Sequence, residues 1–146
     1  MDEALSPHFT LAELVRSATA DARGIDNRPP ELVISALRSL CVLLLEPVRG
    51  LLASPLVVTS GYRCDALNSA VGGSPTSVHV LGLAADFHVP GEDAEAIFRY
   101  LARADLPFDQ LLDERGCIHI GLPRAGAPRR MVGAWSRKGG LTPWNS

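Results

Sequence analysis

The sequence predicts an α+β fold: one domain in which a small, mostly antiparallel sheet packs with helices. Apolar residues recur at three- and four-residue steps over 31–46 and again over 92–104, whereas short β-branched or alternating runs occupy 56–59, 83–89, 110–112 and 117–121. These patterns do not alternate regularly, which argues against a doubly wound parallel sheet. The length of 146 residues suits a single domain, 1–146, and an apolar content of 47% against 21% charged residues allows a core without staples.

In chain order, residues 10–19 read as a short helix, with Thr10 as N-cap, Glu13 at capping-box spacing and Leu11, Leu14 and Val15 on one face. Asp21 to Pro30 reads as a connector. The main helix spans 31–46 between Pro30 in its first turn and Pro47, which is expected to end it. Leu56–Thr59 is a strand broken by Gly61, 65–71 a short helix or turn, and Gly72–Pro75 a loop. Leu83–Val89 is the second strand and 92–104 a helix with Ala96, Ile97, Tyr100 and Leu101 on one face. Gln110–Leu112 and Cys117–Gly121 are two short strands around a turn at Arg115–Gly116. Beyond Pro123 the chain holds four glycines and two prolines and reads as a loosely structured tail, 123–146, outside a core of about 8–122. No internal repeat or low-complexity tract occurs.

Formal net charge is −2, which makes no electrostatic case for a nucleic-acid partner. The late basic residues Arg124, Arg129, Arg130, Arg137 and Lys138 read as a solvated tail. Three cysteines without paired spacing argue against a disulfide framework; Cys41 reads as a small core residue. The N-terminus lacks the basic flank and apolar run of a secretory signal, and the longest apolar run, Leu40–Leu45, is too short for a bilayer. The expectation is a monomer made in the cytoplasm, with no membrane partner.

Two segments offer ligands for a metal. A hydrolytic zinc site takes three protein ligands and a water, and its ligands must converge from backbone held in place. Ser77–Asp86 supplies His79, after a Gly/Ser/Pro loop, and Asp86, a carboxylate in an otherwise apolar strand, where an unpaired charge is costly. Asp86 could equally end its strand in an ion pair with Arg63. Glu114–His119 supplies His119, whose side chain points opposite to Ile118 and Ile120 on an alternating strand; alone it would read as a structural histidine. Cys117, two residues before it, forms a Cys-x-His pair that can also bind zinc. His88 shares the Asp86 face at a two-residue step and reads as a surface or supporting group, and His8 as structural.

The chain resembles the zinc D,D-carboxypeptidase and L,D-endopeptidase superfamily, the M15 peptidases, and is most similar to its compact, phage-endolysin-like branch. Phe9–Leu14, Asn27–Pro29, Pro47–Arg49, Thr59–Cys64, Leu67–Asn68 and Val71–Ser74 carry the resemblance, which runs from about residue 8 to 122. The signature S-x-H-x-x-G-x-A-x-D is met by Ser77, His79, Gly82, Ala84 and Asp86. The resemblance implies a hedgehog/D,D-peptidase-like fold, Zn2+ held by His79, Asp86 and His119, and Arg63 gripping a substrate carboxylate or carbonyl. It makes Ser77 a hydrogen-bonding support and an acid shortly before His119 the general base: Glu114, with Asp113 as the alternative. The substrate implied is the peptide part of bacterial peptidoglycan, reached at the cell wall or periplasm after release or as a virion component. This chain departs from the branch at Cys117, where relatives commonly carry an aromatic residue, and in a turn about one residue shorter. Those departures leave a non-catalytic zinc-binding wall or phage-tail module as the alternative function.

Overall fold

The computed structural model describes residues 2–136 and 138–144. Arg137, one of the late basic residues, and the last two residues of the expected tail lie outside the described residues.

A small hairpin, β1 (Ala4–Ser6) and β2 (Phe9–Thr10), leads into α1 (Leu11–Val15), where Thr10 and Glu13 form the expected capping box. The helix does not continue to residue 19. Ser17 accepts a hydrogen bond from the Ala20 N–H and so caps a new helix, α2 (Ala18–Arg23), which takes up the start of the expected connector. The main helix also departs from expectation, because it does not stop at Pro47. α3 (Glu31–Leu40) passes through a π-helical turn, Cys41–Leu45, into α4 (Glu46–Leu52). A proline has no N–H and its ring crowds the carbonyl four residues back; the wider π turn just before Pro47 opens that spacing, with the Glu46 N–H reaching back to Cys41 O. Glu46 then accepts hydrogen bonds from Ser6 Oγ at 2.6 Å and His8 N at 2.7 Å, which gives His8 a structural place beside it.

The remaining elements are β3 (Val57–Ser60), α5 (Asp65–Ala70), a 3-10 turn (Val78–Leu81), β4 (Ala84–His88), α6 (Ala94–Ala102), β5 (Gln110–Asp113), β6 (Ile118–Gly121), β7 (Met131–Ser136) and β8 (Gly140–Pro143). Six strands form one mixed sheet in the order β3-β4-β6-β5-β7-β8; only the β5–β7 pairing is parallel. The architecture is therefore α+β with a mostly antiparallel sheet, as the sequence predicts.

Strand alternation divides this sheet into two chemistries. Phe87 pairs with Ile118, and Ala85 and Leu111 pair with Ile120; all are buried and pack with Leu37, Leu40, Leu44 and Val48 of the long helix. The intervening row runs Ser60, Asp86, His119, Leu112, Gly133 across five strands on the opposite face.

The segment after Pro123 is not a loose tail. β7 and β8 extend the sheet, and Arg124, Arg129 and Arg130, though exposed, are hydrogen-bonded to other parts of the chain. Asp109 accepts from Arg129 Nε, Nη2 and backbone N, the closest contact being 2.7 Å, while its own carbonyl accepts from Met131 N at 2.8 Å. The Arg130 guanidinium lies 4.4 Å from the centre of the Phe108 ring and donates to the Leu106 carbonyl. One buried acid thus docks β7 against β5.

Arg129 holds the Asp109 carboxyl below its ordinary pKa, against the opposing effect of burial. A depressed carboxylate pKa contributes stability above the unfolded-state value, about 3.9, that is lost as pH falls through the folded value. Urea unfolding from pH 3 to 7 is expected to show Asp109→Asn less stable than the parent at neutral pH, with the gap closing at the acid end; a pH-independent gap would contradict the pairing. Gly61 is a second weak point, because a Cβ there would sit 2.2 Å from the Leu14 carbonyl oxygen. Gly61→Ala is expected to cost about 1–3 kcal/mol in the same experiment.

Candidate metal centre

Asp86 and His119 are cross-strand partners in the β4–β6 ladder, so their side chains leave the same face side by side. His79 arrives from outside the sheet on the 3-10 turn. Ser77 caps that turn by accepting from His79 N, and Gly82 closes it at φ +74°, where a Cβ would also lie 2.9 Å from the Val33 carbonyl oxygen. The glycine of the signature is thus required both by the backbone sign and by the helix beneath it.

The three side chains converge and are all buried, with one ligand atom from each lying within 4.8 Å of the others. Asp86 Oδ1 is 3.2 Å from His79 Nε2 and 2.9 Å from His119 Nδ1. His79 Nδ1 lies 2.7 Å from the Gly61 carbonyl, which can only accept, so that nitrogen carries the proton. That leaves His79 Nε2 directed at the Asp86 carboxylate oxygen, where a shared cation would bond both. His119 Nε2 is buried with no hydrogen-bond partner among the described residues. Burial opposes ionisation of Asp86, but the adjacent His79 and hydrogen bonding to His119 outweigh it and hold the carboxyl far below its ordinary range. Two imidazoles and one carboxylate, one imidazole anchored through its other nitrogen to a backbone carbonyl, form a donor set that suits zinc.

The triad opens into a cavity of about 1050 Å³. Arg63 and Ser77 line it. Arg63 is held by Asn68 Oδ1 at 3.1 Å and by Ser60 Oγ and Ser77 Oγ, both at 3.3 Å. Asn27 fixes the backbone that carries it, donating to Tyr62 O and accepting from Cys64 N. Asp86 and Arg63 form no ion pair with each other; the carboxylate turns to the histidines instead.

Strand parity separates the two acidic candidates. Glu114 follows Leu112 on the site face and lines the cavity, whereas Asp113 pairs with Ile118 on the other face and borders a small cavity beside Phe98 and Trp144. Burial, reinforced by the charge of Asp86 and partly offset by His119, raises the Glu114 carboxyl to about 7. Cys117 Sγ lies 3.7 Å from Glu114 Oε1 as a hydrogen-bond donor, and burial pushes its thiol up to about 12. His88 does not line the cavity.

Some contributors were not visible in the sequence. The Gly61 carbonyl orients His79 but leaves no side-chain trace. Ser60 and Asn68 lie within the quoted motifs, and their hydrogen-bonding side chains were the available signal. Arg124, Trp135 and Leu141 line the cavity from the segment beyond Pro123.

No curated protein matches the chain. A family model described as Peptidase M15 matches residues 7–121, a span that includes Arg63, Glu114 and all three converging side chains. With that match over most of its length, the chain belongs to the Peptidase M15 family.

Proposed function

We propose that this chain is a zinc-dependent hydrolase of peptide bonds in bacterial peptidoglycan, acting on stem peptides or their cross-links. The observation that supports it most is the convergence of His79, Asp86 and His119, three buried side chains with one ligand atom from each within 4.8 Å of the others. Family membership supports peptidase chemistry, and the stem-peptide substrate follows the resemblance in the motifs.

His79, Asp86 and His119 would hold the ion, with a summed ligand charge of −1 that leaves a zinc centre net positive. Bound zinc supplies Lewis acidity and makes water a nucleophile near neutral pH. Glu114, in the same cavity, takes the proton from the attacking water and returns it to the leaving amine. Its raised pKa suits both tasks, since acceptor and donor forms are then close in energy. Arg63 donates N–H groups to the carbonyl oxygen as negative charge develops there. Ser77, Ser60 and Asn68 keep that guanidinium in place and so lower the cost of reorganising it. Cys117 donates to Glu114 and steadies the carboxylate.

Protein purified without a histidine tag is expected to carry about one zinc per chain by elemental analysis, with Asp86→Asn and His79→Ala losing it. Mass spectrometry of digested peptidoglycan should show released peptide fragments for the parent. Glu114→Gln should slow release by about 10²-fold or more while retaining zinc; Asp113→Asn should stay close to the parent. Zinc binding without fragment release under any condition would replace the peptidase by a zinc-holding wall-binding module.

A further inference from the structure

Three arginines that line the site cavity, Arg63, Arg115 and Arg124, form no ion pair among the described residues, and two of them, Arg63 and Arg124, donate to neighbouring loop residues. Arg63 donates from each of its three nitrogens to a neutral oxygen, on Asn68, Ser60 and Ser77. Arg124 donates to the Thr76 carbonyl. The cavity's acids are already engaged: Asp86 with two histidines, Asp109 with Arg129, and Glu114 with Cys117.

Thr76 and Ser77 are consecutive, so one short loop accepts hydrogen bonds from both guanidinium groups. Like charges gathered on one loop repel, and of five N–H groups each, Arg63 spends three in the bonds above and Arg124 one. An anion between or beside them completes the arrangement. A carboxylate matches the planar donor fork, and a charged acceptor makes hydrogen bonds roughly twice as strong as the neutral carbonyl that Arg124 uses at rest. Arg63 is half-buried in the cavity that also holds the triad, and in the proposed mechanism it serves the reacting carbonyl. Arg124 is exposed at the rim, on a segment that begins after residue 121, where the family match ends. Trp135 and Leu141 of the same segment add an apolar wall to the cavity.

We infer that Arg124 is a specificity residue that binds a free carboxylate of the substrate peptide beside Thr76–Ser77, away from the bond that is cut. The inference rests on reading the cavity as a peptide site. The carboxylate has two sources, the peptide's own C-terminus or an acidic side chain within it.

Binding to the zinc-loaded Glu114→Gln protein, measured by calorimetry, separates them. One pair of probes is acetyl-D-alanyl-D-alanine and its C-terminal amide; the other is acetyl-D-alanyl-D-glutamyl-D-alanine amide and its D-glutaminyl counterpart. The acid should bind at least about tenfold more tightly than the amide in one pair, which identifies the source. Adding Arg124→Ala or Arg124→Gln should remove that preference and leave amide binding unchanged, while Arg124→Lys should keep part of it. Thermal unfolding and zinc content monitor the fold of each variant. Equal or undetectable binding in both pairs overturns the inference, as does a preference that survives loss of Arg124. A parallel loss of acid and amide binding would make Arg124 a loop brace and also overturn it. Acid preference intact in a parent that never hydrolyses peptidoglycan would sink the peptidase reading alone.

Discussion

The pairing of β4 with β6 is the constraint on which the site depends, because it sets Asp86 directly opposite His119. A slip of one residue in either strand would turn its ligand into the apolar layer and bring Phe87 or Ile118 to the site face. The same alternation that buries Phe87, Ala85, Ile118 and Ile120 against the long helix therefore aims the carboxylate and the imidazole at each other. Core packing and site geometry are two faces of one register, so the energy that stabilises the fold also holds two of the three candidate ligands.

His79 is positioned by different means. It sits on a single 3-10 turn, which has little intrinsic stability, and its orientation comes from contacts at both ends: the Ser77 cap, the Gly82 stop and the Gly61 carbonyl at Nδ1. Gly61 in turn lies against the end of α1, with Tyr62 N donating to Leu14 O at 2.7 Å. The imidazole is thus braced by the N-terminal helices, far from it in sequence. This brace explains why residues with no chemistry of their own, such as Asn27, belong to the motifs that carry the family likeness.

The triad was legible in the sequence because the S-x-H-x-x-G-x-A-x-D spacing joins a ligand-bearing turn to a strand with one out-of-place carboxylate. The different placement of Glu114 and Asp113 could also have been read from alternation: Leu112, Glu114, Cys117 and His119 share one side of a short hairpin, and Asp113 faces the other. Other features were hidden for physical reasons. Pro47 looks like a helix end, yet a π turn just before it lets the helix pass. The glycines and prolines after Pro123 resemble a tail, yet their turns return the chain to the sheet. The docking force there is the long-range pair Asp109–Arg129, which no local pattern reveals. That segment also lines the cavity, so the part of the site least visible in the sequence includes Arg124, the proposed carboxylate-binding residue.

X-ray absorption at the zinc edge of the loaded protein tests the central claim most directly. Coordination by two imidazoles and carboxylate or water oxygen at about 2.0–2.2 Å, with no sulfur, is the predicted result. A zinc–sulfur distance of about 2.3 Å would place Cys117 in the coordination sphere and contradict the triad.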